Sequence, residues 1–202
     1  MKRTTLSIVM ACCALAMMAQ DAIQVFPSGD KPTIVDFARA LVSYVYNQPD
    51  DCGDRPTNAI MNALTNYRND MPQPDGVTFT VDENNGYLLY EMKDEESTYR
   101  MEMCYWNEAD GKHKLFAFNN LASFDNEDLK PIATETSGVQ FYRYDNAKKT
   151  MTYCAAPGFD VEYENTNYAL PRAGKDITVI KWLGKGKSTR RTLKWNGRRF
   201  SY

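Results

Sequence analysis

The hydrophobic period of this chain changes once, at Gly76, and that change limits its fold more than any other feature. Before it, apolar residues recur at helical spacing. Ile34, Phe37, Ala38, Leu41 and Val45 form one stripe, and Ile60, Ala63, Leu64 and Tyr67 form another at 0, 3, 4 and 7. Thr33 is placed to cap the first helix, with Asp36 three residues later, and Pro56 suits the first turn of the second. Pro72 and Pro74 stop further helix. From Gly76 the period is two: Val77, Phe79 and Val81 alternate with Thr78 and Thr80, and Asn85-Gly86 supplies a hairpin turn. Further strands are predicted near 87–92, 98–106, 114–118, 139–144, 150–154, 177–183, 189–195 and 198–202, whereas 157–174 reads as a long loop. The pattern predicts an α+β fold, with two N-terminal helices (within 33–69) packed on a mainly antiparallel meander sheet of hairpins (76–202).

The N-terminus carries an address. Met1-Lys2-Arg3 is cationic, the stretch from Thr4 to Met18 holds no charged residue, and Ala19 precedes Gln20-Asp21. A short cationic start, an apolar run and a small residue at the cut describe a secretory signal peptide over 1–19. The expected mature chain, 20–202, is then one α+β domain that is periplasmic, secreted or displayed at the cell surface, with no transmembrane segment. Val9-Met10-Ala11-Cys12 loosely fits a lipobox, which would tether the protein through Cys12. The apolar run continuing to Met18 argues against that reading.

Removal of the signal leaves Cys52, Cys104 and Cys154 in an oxidising compartment, where one disulfide and one free thiol are allowed. Strand alternation puts Cys104 opposite Met101 and Met103, and Cys154 opposite Met151 and Tyr153. Both thiols then point away from the core face of a common sheet, so a Cys104–Cys154 bridge is allowed if their strands are neighbours, and three unpaired cysteines are the alternative.

Candidate chemistry is sparse. His113 is the single histidine, so any Ser-His-Asp or Cys-His mechanism has to use it, with Cys104 on the partner strand of its hairpin. One histidine and scattered cysteines give no zinc spacing, and no cofactor motif occurs. The acids cluster beside predicted turns (Asp82-Glu83, Asp94-Glu95-Glu96, Asp125 with Glu127-Asp128, Glu162 with Glu164), where solvated charge is the ordinary occupant. The formal charge of −2 is unevenly spread: residues 177–202 hold eight Lys and Arg and no acid. Trp182, Arg190, Lys194, Trp195 and Arg198 therefore form the candidate binding set, because cations interleaved with aromatics hold anionic groups. For an exported protein that anion is an envelope protein, a peptide or an anionic glycan in preference to nucleic acid. The competing reading is structural, with the aromatics in the core and the cations guarding an edge strand.

The signal peptide, the helical front end and strands such as Met103-Cys104-Tyr105-Trp106, Phe141-Tyr142-Arg143-Tyr144-Asp145 and Leu193-Lys194-Trp195-Asn196-Gly197 resemble those of small uncharacterised exported proteins of anaerobic gut bacteria. That resemblance implies export and assigns neither an activity nor site residues. The expected function is a non-catalytic binding or interaction module for protein, peptide or glycan. A carboxylate-dependent hydrolase of envelope or dietary polymers, and an inhibitor or accessory subunit of another exported protein, are the alternatives.

Overall fold

The computed structural model describes residues 22–47, 55–93, 97–124, 136–160, 165–184 and 187–202. The signal segment, Cys52 and the acids at 94–96, 125–128, 162 and 164 lie outside the described residues. The chain forms β1 (Ile23–Gln24), α1 (Ile34–Tyr46), α2 (Arg55–Arg68), β2 (Val77–Asp82), β3 (Tyr87–Lys93), β4 (Ser97–Asn107), β5 (His113–Phe124), β6 (Thr136–Asp145), β7 (Thr150–Cys154), β8 (Thr166–Ala169), β9 (Ile177–Gly184), β10 (Lys187–Trp195) and β11 (Phe200–Ser201). The class is α+β with an antiparallel sheet, and a short strand precedes the helices. Among the described residues no helix is long and apolar enough to cross a membrane.

Two sheets result. Seven strands run in the order β1-β7-β6-β5-β4-β3-β2, and four more in the order β11-β10-β9-β8. The large sheet buries both faces. On one, Leu88, Tyr90, Met101, Met103, Phe116 and Tyr144 pack against the stripes of α1 and α2. Phe37 is central there, 5.3 Å from Tyr105, 5.5 Å from Phe116 and 5.0 Å from Tyr144 between ring centroids. On the other face Tyr87, Cys104, Trp106, Leu115, Ala117 and Phe141 meet Tyr168, Ile177, Val179, Leu193, Trp195 and Phe200 of the small sheet. Period-two alternation in β4 thus feeds two cores, not one core and solvent.

Backbone contacts pin the sheets together. Ala109 N–H donates to Gly197 O (2.8 Å), and Phe200 N–H donates to Pro157 O (2.8 Å). Beside the second contact, Gly158 adopts φ +74°, and a Cβ there would sit 2.2 Å from Phe200 O, so only glycine fits. The Trp106 indole N–H reaches Lys175 O at 2.9 Å.

The expected loop at 157–174 contains β8, a strand of four residues that closes the small sheet against β9. The disulfide expectation is corrected. Cys104 and Cys154 are both free thiols. They lie in one transverse row, Cys104↔Ala117↔Phe141↔Cys154, three strands apart. At ~4.8 Å per strand that is about 14 Å, twice what a disulfide spans.

Candidate functional site

The cationic set is split by the small sheet. On β10 the inward alternation ends in Leu193 and Trp195, both buried, while Lys187 to Thr192 and Lys194 are exposed. Trp195 is removed from the surface set: it is 6% exposed, and its ring stacks 4.7 Å from Phe200 and 6.1 Å from Trp106. Arg190, Thr192 and Lys194 point to the opposite, uncovered face. Trp182 shares that face through its register with Ser188, and it is half-buried with an indole N–H that finds no partner among the described residues. Arg198 lies in the exposed turn before β11, where Asn196 Oδ1 accepts from the N–H groups of Arg198 and Arg199, each at 2.9 Å. Arg191 stacks over the Tyr202 ring at 5.0 Å. Among the described residues, Arg190, Arg191, Lys194, Arg198 and Arg199 have no carboxylate within ion-pair distance, although ion pairs occur elsewhere in the protein.

A second polar constellation sits where the β4–β5 turn meets the β6–β7 turn. Arg143 forks onto Glu108, with Nε–Oε1 at 2.8 Å and Nη2–Oε2 at 2.5 Å, and reaches Asp110 Oδ2 at 3.3 Å. His113 Nδ1 lies 2.6 Å from Asp110 Oδ2, and its Nε2 lies 4.0 Å from Asp145. The hydrogen bond from His113, followed by that from the Lys112 N–H, holds the Asp110 carboxyl well below the usual carboxylate range. Glu108, Asp110 and His113 present ligand atoms within 4.8 Å of one another, as a cation site would. The Arg143 guanidinium already supplies a positive charge there, and its fork onto Glu108 ties β6 to the β4–β5 turn.

The dyad of His113 with Cys104 does not form. His113 pairs with Asp145 at one end of β5, whereas Cys104 pairs with Ala117, four residues along the strand and about 13 Å away. Burial, with a smaller contribution from Glu102, pushes the Cys104 thiol up. Burial, then Glu108, pushes Cys154 to about 11 against a partial offset from Arg143. Neither is a thiolate near neutrality, so neither is a ready nucleophile.

The buried carboxylates are equally committed. Among the described residues Asp36 and Glu102 are the buried acids. Asp36 accepts from the backbone N–H and hydroxyl of both Ser28 and Thr33 at 2.9–3.2 Å, completing a capping box at the start of α1. Glu102 accepts from Arg100 Nη2 (2.7 Å), Tyr87 OH (3.0 Å), the Leu170 N–H (3.0 Å) and Asn119 Nδ2 (3.3 Å). Asn119 also donates to Tyr168 O at 2.7 Å, so this pair ties the large sheet to β8 and the residue after it. Acids at the turns serve as turn acceptors: Asp82 for Asn85, Asp110 for Lys112 and His113, Asp145 for Ala147 and Lys148. Sequence reading missed Glu102, which looks like a solvent-facing alternation between Met101 and Met103. Only the second sheet makes it interior.

No known protein family, curated protein or solved structure matches the chain.

Proposed function

We propose that this protein is an exported, non-catalytic binding module whose recognition surface is the outer face of its small C-terminal sheet and whose partner is anionic, a protein, peptide or glycan. The observation that carries the reading is a set of exposed cations, Arg190, Lys194 and Arg198, that have no counter-ion among the described residues and lie on a stretch that contains no acid. They are spread along β10 and the turn after it, an arrangement suited to an extended polyanion, since exposed cations attract such a partner over roughly a Debye length of 8–10 Å. The committed state of Asp36, Glu102 and both described thiols supports binding over hydrolysis. Export rests on the cationic start and apolar run of residues 1–19.

Salt elution from immobilised heparin, used as an anionic-glycan probe, tests the surface. The triple variant R190E/K194E/R198E is expected to elute at clearly lower salt than the unmodified protein, with an unchanged circular dichroism spectrum. Retention that survives the triple reversal overturns this assignment.

A further inference from the structure

Among the described residues, the small sheet leaves the side of β10 away from β9 unpaired over Ser188 to Thr192. β9 covers one side of β10 from Lys187 to Leu193, but on the other side β11 pairs only with Lys194 and Trp195. Which backbone groups face that opening follows from the ladder. The N–H of Trp182 donates to Asn165 O, on the side of β9 away from β10. In an antiparallel pair the N–H and C=O of one residue point the same way, and directly opposite residues share that choice. Ser188, Arg190 and Thr192, opposite Trp182, Ile180 and Thr178, therefore turn their N–H and C=O groups outward. The neighbours agree with this parity: Lys194 pairs outward with Ser201, while the Trp195 N–H turns back to Asp176 Oδ1 at 3.2 Å. Three successive outward N–H/C=O pairs are a template for an added strand.

We infer that the open edge of β10 is a docking site for an extended acidic peptide segment of a partner protein. The segment adds as a further strand beside Ser188, Arg190 and Thr192, with its carboxylates on the outer face against Arg190 and Lys194. This rests on the anionic-partner reading above and narrows it to peptide. A glycan polyanion would use the cations but leave the outward N–H and C=O groups unmatched. A second copy of the chain fits worse, since pairing two β10 edges sets a strand bearing Lys187, Arg190, Arg191 and Lys194 against the same charges. Cations on an edge ordinarily prevent indiscriminate strand pairing. Here the same charges select the one class of strand that neutralises them.

A ten-residue peptide alternating glutamate and valine serves as the probe, with binding followed by fluorescence anisotropy. Two controls keep the charge and remove the pairing: the same peptide N-methylated at every glutamate, and the protein variant Thr192→Pro. Thr192→Pro deletes an outward N–H, leaves the β9 ladder intact and occupies an edge where proline is tolerated. The probe is expected to bind, each control to weaken it by about tenfold or more, and Thr192→Pro to keep its heparin retention. Equal binding of the N-methylated peptide, or no binding of the parent, overturns strand addition while leaving the cationic surface to the heparin result. If Thr192→Pro fails to fold, the N-methylated peptide on the unmodified protein still decides. Loss of heparin retention in R190E/K194E/R198E with unchanged peptide binding overturns the proposed carboxylate contacts.

Discussion

Tyr87 and Glu102 show what a single buried side chain does here. The Tyr87 hydroxyl donates to a carboxylate that also holds Arg100, Asn119 and the Leu170 N–H. A hydrogen bond to a charged group is worth about 1.5–3 kcal/mol, so Tyr87→Phe is expected to lower unfolding free energy by about that amount. The same residue also carries a pH response. Burial, then the charge of Glu102, holds the Tyr87 phenol well above its ordinary value of 10.0, and burial does the same for Tyr142. A group with a raised folded pKa contributes stability fully below its unfolded pKa and loses it as pH rises toward the folded one. Cys154, moved from 9.0 to about 11, places the start of that loss near pH 9, and the tyrosines extend it above 10. Urea midpoints measured from pH 8 to 11 should fall through this window, and less steeply for Tyr87→Phe. A flat profile, or identical slopes for the two proteins, would contradict the assignment.

At the scale of elements, legibility followed the strength of local chemistry. The capping box at α1 was readable because Thr33 and Asp36 satisfy a spacing rule by themselves, and the structure places both side chains as that rule requires. The hairpin at Asn85-Gly86 was readable for the same reason, with Gly86 at positive φ. β1 and β8 were not readable: strands of two and four residues carry too few alternations to stand out, and each exists because a longer neighbour offers it a ladder. The candidate surface divided similarly. Charge alone marked Arg190 and Lys194, and both are exposed in β10, but nothing local to Trp195 says that Phe200 and Trp106 await it. The cap gives this scale its prediction. Thr33→Ala removes one hydroxyl from Asp36 and one acceptor from the Asp36 N–H. It is expected to cost about 1 kcal/mol, measured by urea denaturation. A neutral result would mean that the bonds Asp36 keeps to Ser28 and to the backbone N–H of residue 33 hold the start of α1 without the hydroxyl.

For the whole molecule, the main fact is a sheet with apolar residues on both sides. Alternation was read from the sequence as core against solvent, which identified the correct face for Cys104 and the wrong surroundings, because the small sheet that covers it comes from residues more than sixty positions away. A sheet with one wet face gets its register cheaply, since sliding a strand by one residue would expose its apolar side. Here the slide would exchange Met101 and Met103 for Cys104 and Trp106, one greasy set for another, and the hydrophobic effect would barely object. Glu102 would object. One position out of place, it would enter the layer of Phe37, Leu88 and Phe116 without the Leu170 N–H and Asn119. Replacing the pair by apolar residues, Glu102→Met with Asn119→Leu, should therefore preserve overall sheet content and multiply the amide resonances of β4 and β5. A single sharp set of resonances would refute this. Glu102 on this view is also a spelling check on strand alignment: its four hydrogen bonds exist in one register, and misaligned versions of the sheet forfeit all of them.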